Sequence, residues 1–324
     1  ESLMSLGLYV SMCGDGANDA PALKAAHIGV SLSESEASVA APFTSRIQDI
    51  SCMPRVLLQG RSALDTCFQL FRYMALYSVI QFSCCIHLYF IGANLGDTQF
   101  LFHDMMLVFP LVVLLGETMA ADTLTKKRPS GNLLSTFNLI SVFSHMILCV
   151  ITQFAVFMSC QHVPGYIDMA NESFGARKWE VTSLYYLCNF QYLLMAVLFA
   201  ASSQWKKPLI AHKKLTGWII FASLDSLFLL LCTSNDGIVA KTLGIDDWGT
   251  VWLMGDDVQL PMAWRWTILG YFGINVVIST IHQLIVLPAI KRLLDNARQR
   301  ANTDTEYGKG GLVSQNYKVY HVLR

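Results

Sequence analysis

The chain has 324 residues, of which 53% are hydrophobic and only 14% charged, with 23 Lys and Arg against 23 Asp and Glu. A mean hydropathy of +0.43 is too apolar for an ordinary soluble domain of this length, so much of the chain is expected in lipid. Zero net charge leaves no global basic field for nucleic acid, and the nine cysteines, an odd number set mostly in apolar runs, read as small buried hydrophobes and not as a disulfide framework.

In chain order the first element is the run LGLYVSMC, residues 6–13, short and apolar enough for a fully buried parallel strand. GDGANDAPAL follows at 14–23, and ALKAAH at 22–27 has helix-forming composition. Asp15 is therefore expected at the carboxyl end of a strand, where open α/β sheets gather their chemistry. Gly14 and Gly16 are expected to let the backbone turn and approach a ligand, while Asp15 and Asp19 offer the hard oxygen ligands that Mg²⁺ prefers. Asn18 adds an amide that donates to a phosphoryl oxygen. A bare GDG is more often a tight turn with solvated carboxylates. The whole string, GDGANDAPALKAA with IGV after it, resembles the hinge motif of the P-type ATPases. That resemblance implies a haloacid-dehalogenase-like α/β phosphorylation domain, of which only the C-terminal part is here, with Asp15 as the catalytic Mg²⁺ ligand. It further implies that Asp19 supports the metal and the loop and that Asn18 contacts the phosphoryl group. His27 stands where the family usually has Asp, a position of structure and not of chemistry.

SRIQDISCMPRVLLQGRSALDT, residues 45–66, is expected to connect this part to the membrane without a Gly/Ser-rich linker, with Pro54 and Gly60 as places where a helix would break. Apolar runs of roughly 18 residues or more mark spans. Six are expected, near 66–92, 100–120, 137–160, 181–201, 216–234 and 264–290, the last ending at Pro288 before an exposed basic tail, 291–324. The division is thus 1–65 phosphorylation domain and connector, 66–290 an all-α bundle of six transmembrane helices, and 291–324 a cytosolic tail. Lys and Arg concentrate in LTKKRPSG, QWKKPLIAHKK and the segment after 290, which puts those connections and the GDGANDAPAL segment in the cytosol. Asn171 begins an Asn-Glu-Ser sequon in a loop on the opposite, lumenal side.

An ionisable side chain at mid-bilayer is a functional candidate. Asp104 is the clearest, with Phe100 four residues before it on the same helix face, and Tyr77 and Gln81 form a second pair at that spacing in the first span. One carboxylate, one amide and aromatic rings suit an organic ammonium through charge pairing and cation–π attraction, and suit bare Ca²⁺ or Mg²⁺ poorly. Glu117 reads as a solvated helix end. Asp225 reads as a packing group or an accessory path residue, and His87, His103 and His145 as neutral buried histidines. LSESEASVAAPFTS, RYMALYSVIQF, NLGDTQFLFHD and NFQY together are similar to the type-five, subgroup B P-type ATPases, the lysosomal and endosomal polyamine transporters. By that resemblance Tyr77, Gln81, Phe100 and Asp104 line the path of a polyamine moved from lumen to cytosol in the late endosomal or lysosomal membrane. The aromatics and Gln81 also admit the plainer reading of interface rings and a helix-packing amide. The resemblance implies ATP and Mg²⁺ as cofactors and an upstream N-terminal half of the same protein, carrying the phosphorylated Asp, the nucleotide-binding and actuator domains and four more helices. Membrane lipid and polyamine are the expected partners and nucleic acid is not. Without that half the fragment is expected not to turn over ATP. A pump for an inorganic cation, a dislocase of misinserted membrane helices and a catalytically silent scaffold are the alternatives.

Overall fold

The computed structural model describes residues 1–33, 39, 41–126, 128–129, 131–166, 179–201, 203–232 and 260–308, the last eleven of them by backbone alone. The chain is mostly helical, with a small parallel sheet at one end. A short helix α1 (Ser2–Ser5) precedes strand β1 (Ser11–Gly14), a single 3₁₀ turn (Ala17–Asp19), helix α2 (Ala20–Ala25) and strand β2 (Ile28–Ser31). Strand β3 (Phe43–Thr44) lies on the far side of β2, so the order is β1-β2-β3, all parallel, with Cys13 opposite Val30 and Ser31 opposite Thr44. The buried strand expected over 6–13 is shorter and more exposed than its composition suggested. Pairing starts at Ser11, only Gly14 of β1 is buried, and Tyr9 is 84% exposed, because β1 is the edge of the sheet among the described residues. His27 has the structural role expected of it. Its Nδ1 accepts the Val10 N–H at 3.1 Å and its ring lies 5.2 Å from that of Tyr9, which pins the entry to β1 against the entry to β2.

Helix α3 (Cys52–Tyr89) runs unbroken for 38 residues. Neither expected breaker acts. Pro54 is the third residue of the helix, where the backbone N–H has no intrahelical acceptor to lose, and Gly60 faces open space. The next apolar stretch is composite: α4 (Asp97–Leu101), a π-helical turn (Phe102–Val108) and α5 (Phe109–Gly116). Helices α6 (Thr136–Cys160), α7 (Trp179–Ala201), α8 (Lys213–Cys232) and α9 (Met262–Ile281) follow, and α9 passes through a second π-helical turn (His282–Val286) into α10 (Leu287–Gly308). Pro288 therefore does not end the last helix. It follows a π turn, whose wider ladder already leaves backbone groups without ordinary partners.

Among the described residues, five stretches are long and apolar enough to cross a membrane: Gln99–Gly116, Thr136–Cys160, Trp179–Ala201, Lys213–Leu231 and Met262–Ala297. Helix α3, which contains the expected first span, is not among them, and Arg55, Arg61, Asp65 and Arg72 all lie along it. Its second half nonetheless packs in the bundle, where Tyr73, Leu76, Ile80, Cys84 and Leu88 are buried. Helix α7 is the axis of the bundle, with residues buried on every side, among them the polar Glu180, Asn189 and Gln191. Helix α6 divides its faces. Val142, His145, Cys149, Gln153 and Val156 turn inward, while Phe143, Ile147, Ile151 and Phe154 are exposed in the pattern of a lipid-facing stripe. Polar side chains tie the helices together, as expected where apolar burial cannot drive association. Gln153 donates to Ile80 O and to Gln191 Oε1, both at 3.0 Å, Gln191 donates to Cys149 O, and Asn275 donates to Thr152 at 2.6 Å.

At the end of the bundle nearest the sheet, the connection after α5 and the one after α7 meet through an antiparallel bridge between Ala120 and Lys206. The Lys206 ammonium is buried against α3, bonded to Gln69 and 3.8 Å from Asp65. Arg61 donates to Thr125 O at 2.6 Å from the same helix.

Candidate functional site

Two places hold the residues singled out by sequence. The first is the loop at the carboxyl end of β1. Asp19 bends back so that its Oδ2 accepts the Asp15 N–H at 3.1 Å and the Gly16 N–H at 3.5 Å. One carboxylate thus braces the turn, while that of Asp15 is exposed and Asn18 stands beside it, also exposed. Neither Gly14 nor Gly16 has a positive φ, so no left-handed turn is involved. Gly14 is required by Asp19 itself: a Cβ there would lie 2.5 Å from Asp19 Oδ2. Gly16 has room for one. Behind the loop, Cys13 Sγ lies 3.9 Å from Cys52 Sγ at the start of α3, and burial, then the Cys52 thiol, push the Cys13 thiol up to about 11.

A Mg²⁺ fits this loop on the chemistry of its donors. The ion takes oxygen ligands, is held by one or two carboxylates, and leaves its other positions to water and phosphate. Asp15 is the free carboxylate, and Asp19 is close enough to hold the loop in shape for it. No cluster of three or more His, Cys, Asp or Glu exists among the described residues, so no all-protein cage competes with this open arrangement.

The second place is inside the bundle. Tyr77 on α3 donates its hydroxyl to Asp104 Oδ1 at 2.5 Å, across the interface with the π-helical turn. The structure brings these two expected residues together. Gln81, one turn further along α3, is half-buried and forms no hydrogen bond among the described residues. Phe100 packs on the apolar core as a partly buried ring. The simple four-residue spacing from Phe100 to Asp104 is interrupted, because the π turn begins at Phe102 and winds more residues into each turn than an α-helix. Such turns recur at functional sites.

Sequence reasoning missed the wall facing Asp104. The Tyr192 ring on α7 lies 5.6 Å from that of Tyr77 and 5.1 Å from that of His103, and His103 stacks on Tyr185 at 4.8 Å. His103, Tyr185 and Asn189 are buried side by side, and the hydroxyls of Tyr73 and Tyr192 are buried without a hydrogen-bond partner among the described residues. The signal was present in the sequence as Tyr185, Asn189 and Tyr192, spaced four and three along one helix face. Among the secondary candidates, Glu117 is an exposed helix end paired with Lys214 at 3.0 Å, and His87 and His145 each bond the carbonyl four residues back.

A multi-helix apolar bundle beside a small parallel sheet defines the class, a multi-pass membrane protein. No family model matches the chain. It is 40% identical over 284 residues to the protein named "Probable cation-transporting ATPase catp-6" of Caenorhabditis elegans, covering 86% of this chain and 21% of that one. It is 36% identical over 290 residues to the vacuolar cation-transporting ATPase YPK9 of Saccharomyces cerevisiae, covering 89% and 18%. It is 34% identical over 303 residues to the polyamine-transporting ATPase 13A3 of Homo sapiens, covering 86% and 24%. The chain is a homologue of the P-type cation-transporting ATPases, with polyamine-transporting members among its relatives. It spans about a fifth of the length of the curated relatives it matches.

Proposed function

We propose that this chain supplies the Mg²⁺-binding end of a haloacid-dehalogenase-like phosphorylation domain and the last six membrane-spanning helices of an ATP-driven pump. Its cargo would be a polyamine such as spermine or spermidine, exported from the endolysosomal lumen to the cytosol through an aspartyl-phosphate whose Asp lies in another part of the protein. The observation that carries the reading is the Tyr77–Asp104 pair at 2.5 Å, an intramembrane carboxylate bonded to one aromatic side chain whose ring packs on that of Tyr192. A carboxylate beside π-faces holds an alkylammonium, and this pair lacks the many oxygens a bare divalent ion demands. The relatives named polyamine-transporting support it.

At the loop, Asp15 would hold the metal and Asn18 would donate to a phosphoryl oxygen. When bound there, Mg²⁺ neutralises charge developing on the transferred phosphoryl group. Asp19 keeps Asp15 in place by accepting its N–H. In the bundle, Asp104 pairs with a substrate ammonium, and Tyr77 shares that carboxylate in the resting state.

Two substitutions in the full-length protein test the reading. Asp15→Asn removes the charged ligand and is expected to abolish Mg²⁺-dependent dephosphorylation while membrane insertion is retained. Asp104→Asn keeps the shape and deletes the charge. A charge-assisted contact contributes roughly 1.5 to 3 kcal/mol, so the spermine or spermidine concentration for half-maximal turnover should rise about 10- to 100-fold. An unchanged polyamine titration in Asp104→Asn would sink the substrate assignment. Inorganic-cation stimulation that Asp104 alone controls would favour the cation pump instead.

A further inference from the structure

His103 and Asp104 are consecutive residues of the π turn, and consecutive helix residues do not share a face. Asp104 meets α3, where Tyr77 donates to its Oδ1, while His103 turns into α7 and is fully buried there, its ring stacked on that of Tyr185. One side chain touches both arms of this arrangement. The Tyr192 ring lies 5.6 Å from that of Tyr77, tilted by 55°, and 5.1 Å from that of His103, edge to face at 79°. Tyr192 is fully buried and its hydroxyl has no hydrogen-bond partner among the described residues, so these contacts are made by the ring and not by its polar end. It comes from a third element, the central helix α7, and so refers the positions of α3 and of the π turn to one support.

We propose that Tyr192 is a positioning residue for the substrate carboxylate and acts through Tyr77. The Tyr77 hydroxyl engages Oδ1 of Asp104, which fixes the rotation of the carboxylate and leaves Oδ2 to accept from a substrate ammonium. That hydroxyl sits at the far end of its ring, so any tilt of the ring moves it most, and a hydrogen bond this short tolerates little movement. Tyr192 opposes the tilt by packing on the Tyr77 ring. Its contact with His103 ties the same support to the turn that carries Asp104, so donor and acceptor are placed together. Tilted and edge-to-face ring pairs have a preferred geometry, whereas a flexible thioether or aliphatic chain fills space without setting an angle. The inference rests on the reading of Asp104 as the carboxylate that binds polyamine. It adds a residue that never touches the substrate and sets how the carboxylate is presented.

The test uses the full-length protein and reads spermine titrations of ATP turnover. Tyr192→Met removes the ring and keeps an apolar side chain. It should raise the half-maximal spermine concentration about 3- to 10-fold, with maximal turnover and phosphorylation from ATP unchanged. Tyr192→Leu, a second variant without the ring, should behave alike, and Tyr192→Phe, which keeps the ring, should match wild type. In a Tyr77→Phe background no hydroxyl remains to be placed, so adding Tyr192→Met should shift the titration by less than about 2-fold. Full additivity of the two substitutions overturns the proposal. So does a shift in Tyr192→Phe as large as that in Tyr192→Met, which would give the role to the hydroxyl. Failure of both ringless variants to yield folded protein, or a fall in maximal turnover at an unchanged half-maximal concentration, also overturns it, since the ring would then serve the fold alone. Asp104→Asn is titrated alongside. An unshifted Asp104→Asn removes the substrate assignment and this inference with it, whereas a shifted Asp104→Asn with an unshifted Tyr192→Met overturns this inference alone.

Discussion

Gly14 and Gly29 flank the acidic loop for different steric reasons. At Gly14 an added methyl meets the whole Asp19 side chain, Oδ2 at 2.5 Å, Cβ at 2.6 Å and Cγ at 2.7 Å, so turning the carboxylate away does not relieve it and the loop itself must shift. At Gly29 it meets the backbone oxygen of Leu23, also at 2.5 Å, and neither α2 nor β2 can yield without repacking. Gly14→Ala is therefore expected to lower both the Mg²⁺ affinity and the stability of the full-length protein. Gly29→Ala should cost about 1 to 3 kcal/mol of domain stability and leave the metal response unchanged. Mg²⁺ titration of dephosphorylation distinguishes the two, and an equal metal response in both would refute the division. Glu117 makes the contrast with Asp104. Its pair with Lys214 has both side chains more than half exposed, so Glu117→Gln should change polyamine response and stability little, since such pairs are typically worth less than about 1 kcal/mol.

Helix α3 is the one element that touches both sites, with Cys52 against β1 at one end and Tyr77 against Asp104 further on. At 1.5 Å per residue it is about 57 Å long, and no Gly or Pro interrupts it. Displacement at the sheet would be carried to the bundle without slack. Lys206 clamps this helix from the side through Gln69 and Asp65. Burial pushes its ammonium down to about 8 from 10.5, partly opposed by Asp65. Between those values the unfolded chain holds a proton that the folded one has released, so this group's contribution to stability rises with pH there and is flat below. Wild type should accordingly gain unfolding temperature relative to Lys206→Met as pH goes from 8 to 10.5. A parallel dependence in both would show that Lys206 does not titrate in that window. Lys206→Ala at neutral pH leaves Asp65 unpaired and is expected to cost several kcal/mol.

For the whole molecule, the arrangement of ends bears on topology. The stretches at 65–72, 137–141, 201–205 and 283–291 all border one cavity, so they lie at one end of the bundle. The basic connections assigned to the cytosol adjoin these same ends. The sequon at Asn171 lies outside the described residues. In glycosylating cells the full-length protein should show a glycosidase-sensitive mass shift that Asn171→Gln removes, and a tag in the 121–136 connection should be reached only from the cytosol. Lumenal access to that tag would overturn the orientation.

Local chemistry made the strand, turn and helix around GDGANDAPAL legible in the sequence, because backbone hydrogen bonds and the donors of a ligand loop are set by neighbours along the chain. Apolar length likewise marked five helices that, among the described residues, are long and apolar enough to cross a membrane. What sequence could not supply was anything that depends on which helix meets which. The continuity of α3 past Pro54 and Gly60, the π turns that move Asp104 off the Phe100 face and carry the last helix past Pro288, the central place of α7, and the Tyr185–Asn189–Tyr192 wall all arise from packing. Burial of one polar group beside another is a property of two distant segments at once, and no periodicity within either segment contains it. The pairing of Tyr77 with Asp104 across 27 residues, and the meeting of four distant segments around Arg72 and Lys291, were decided only when the bundle closed.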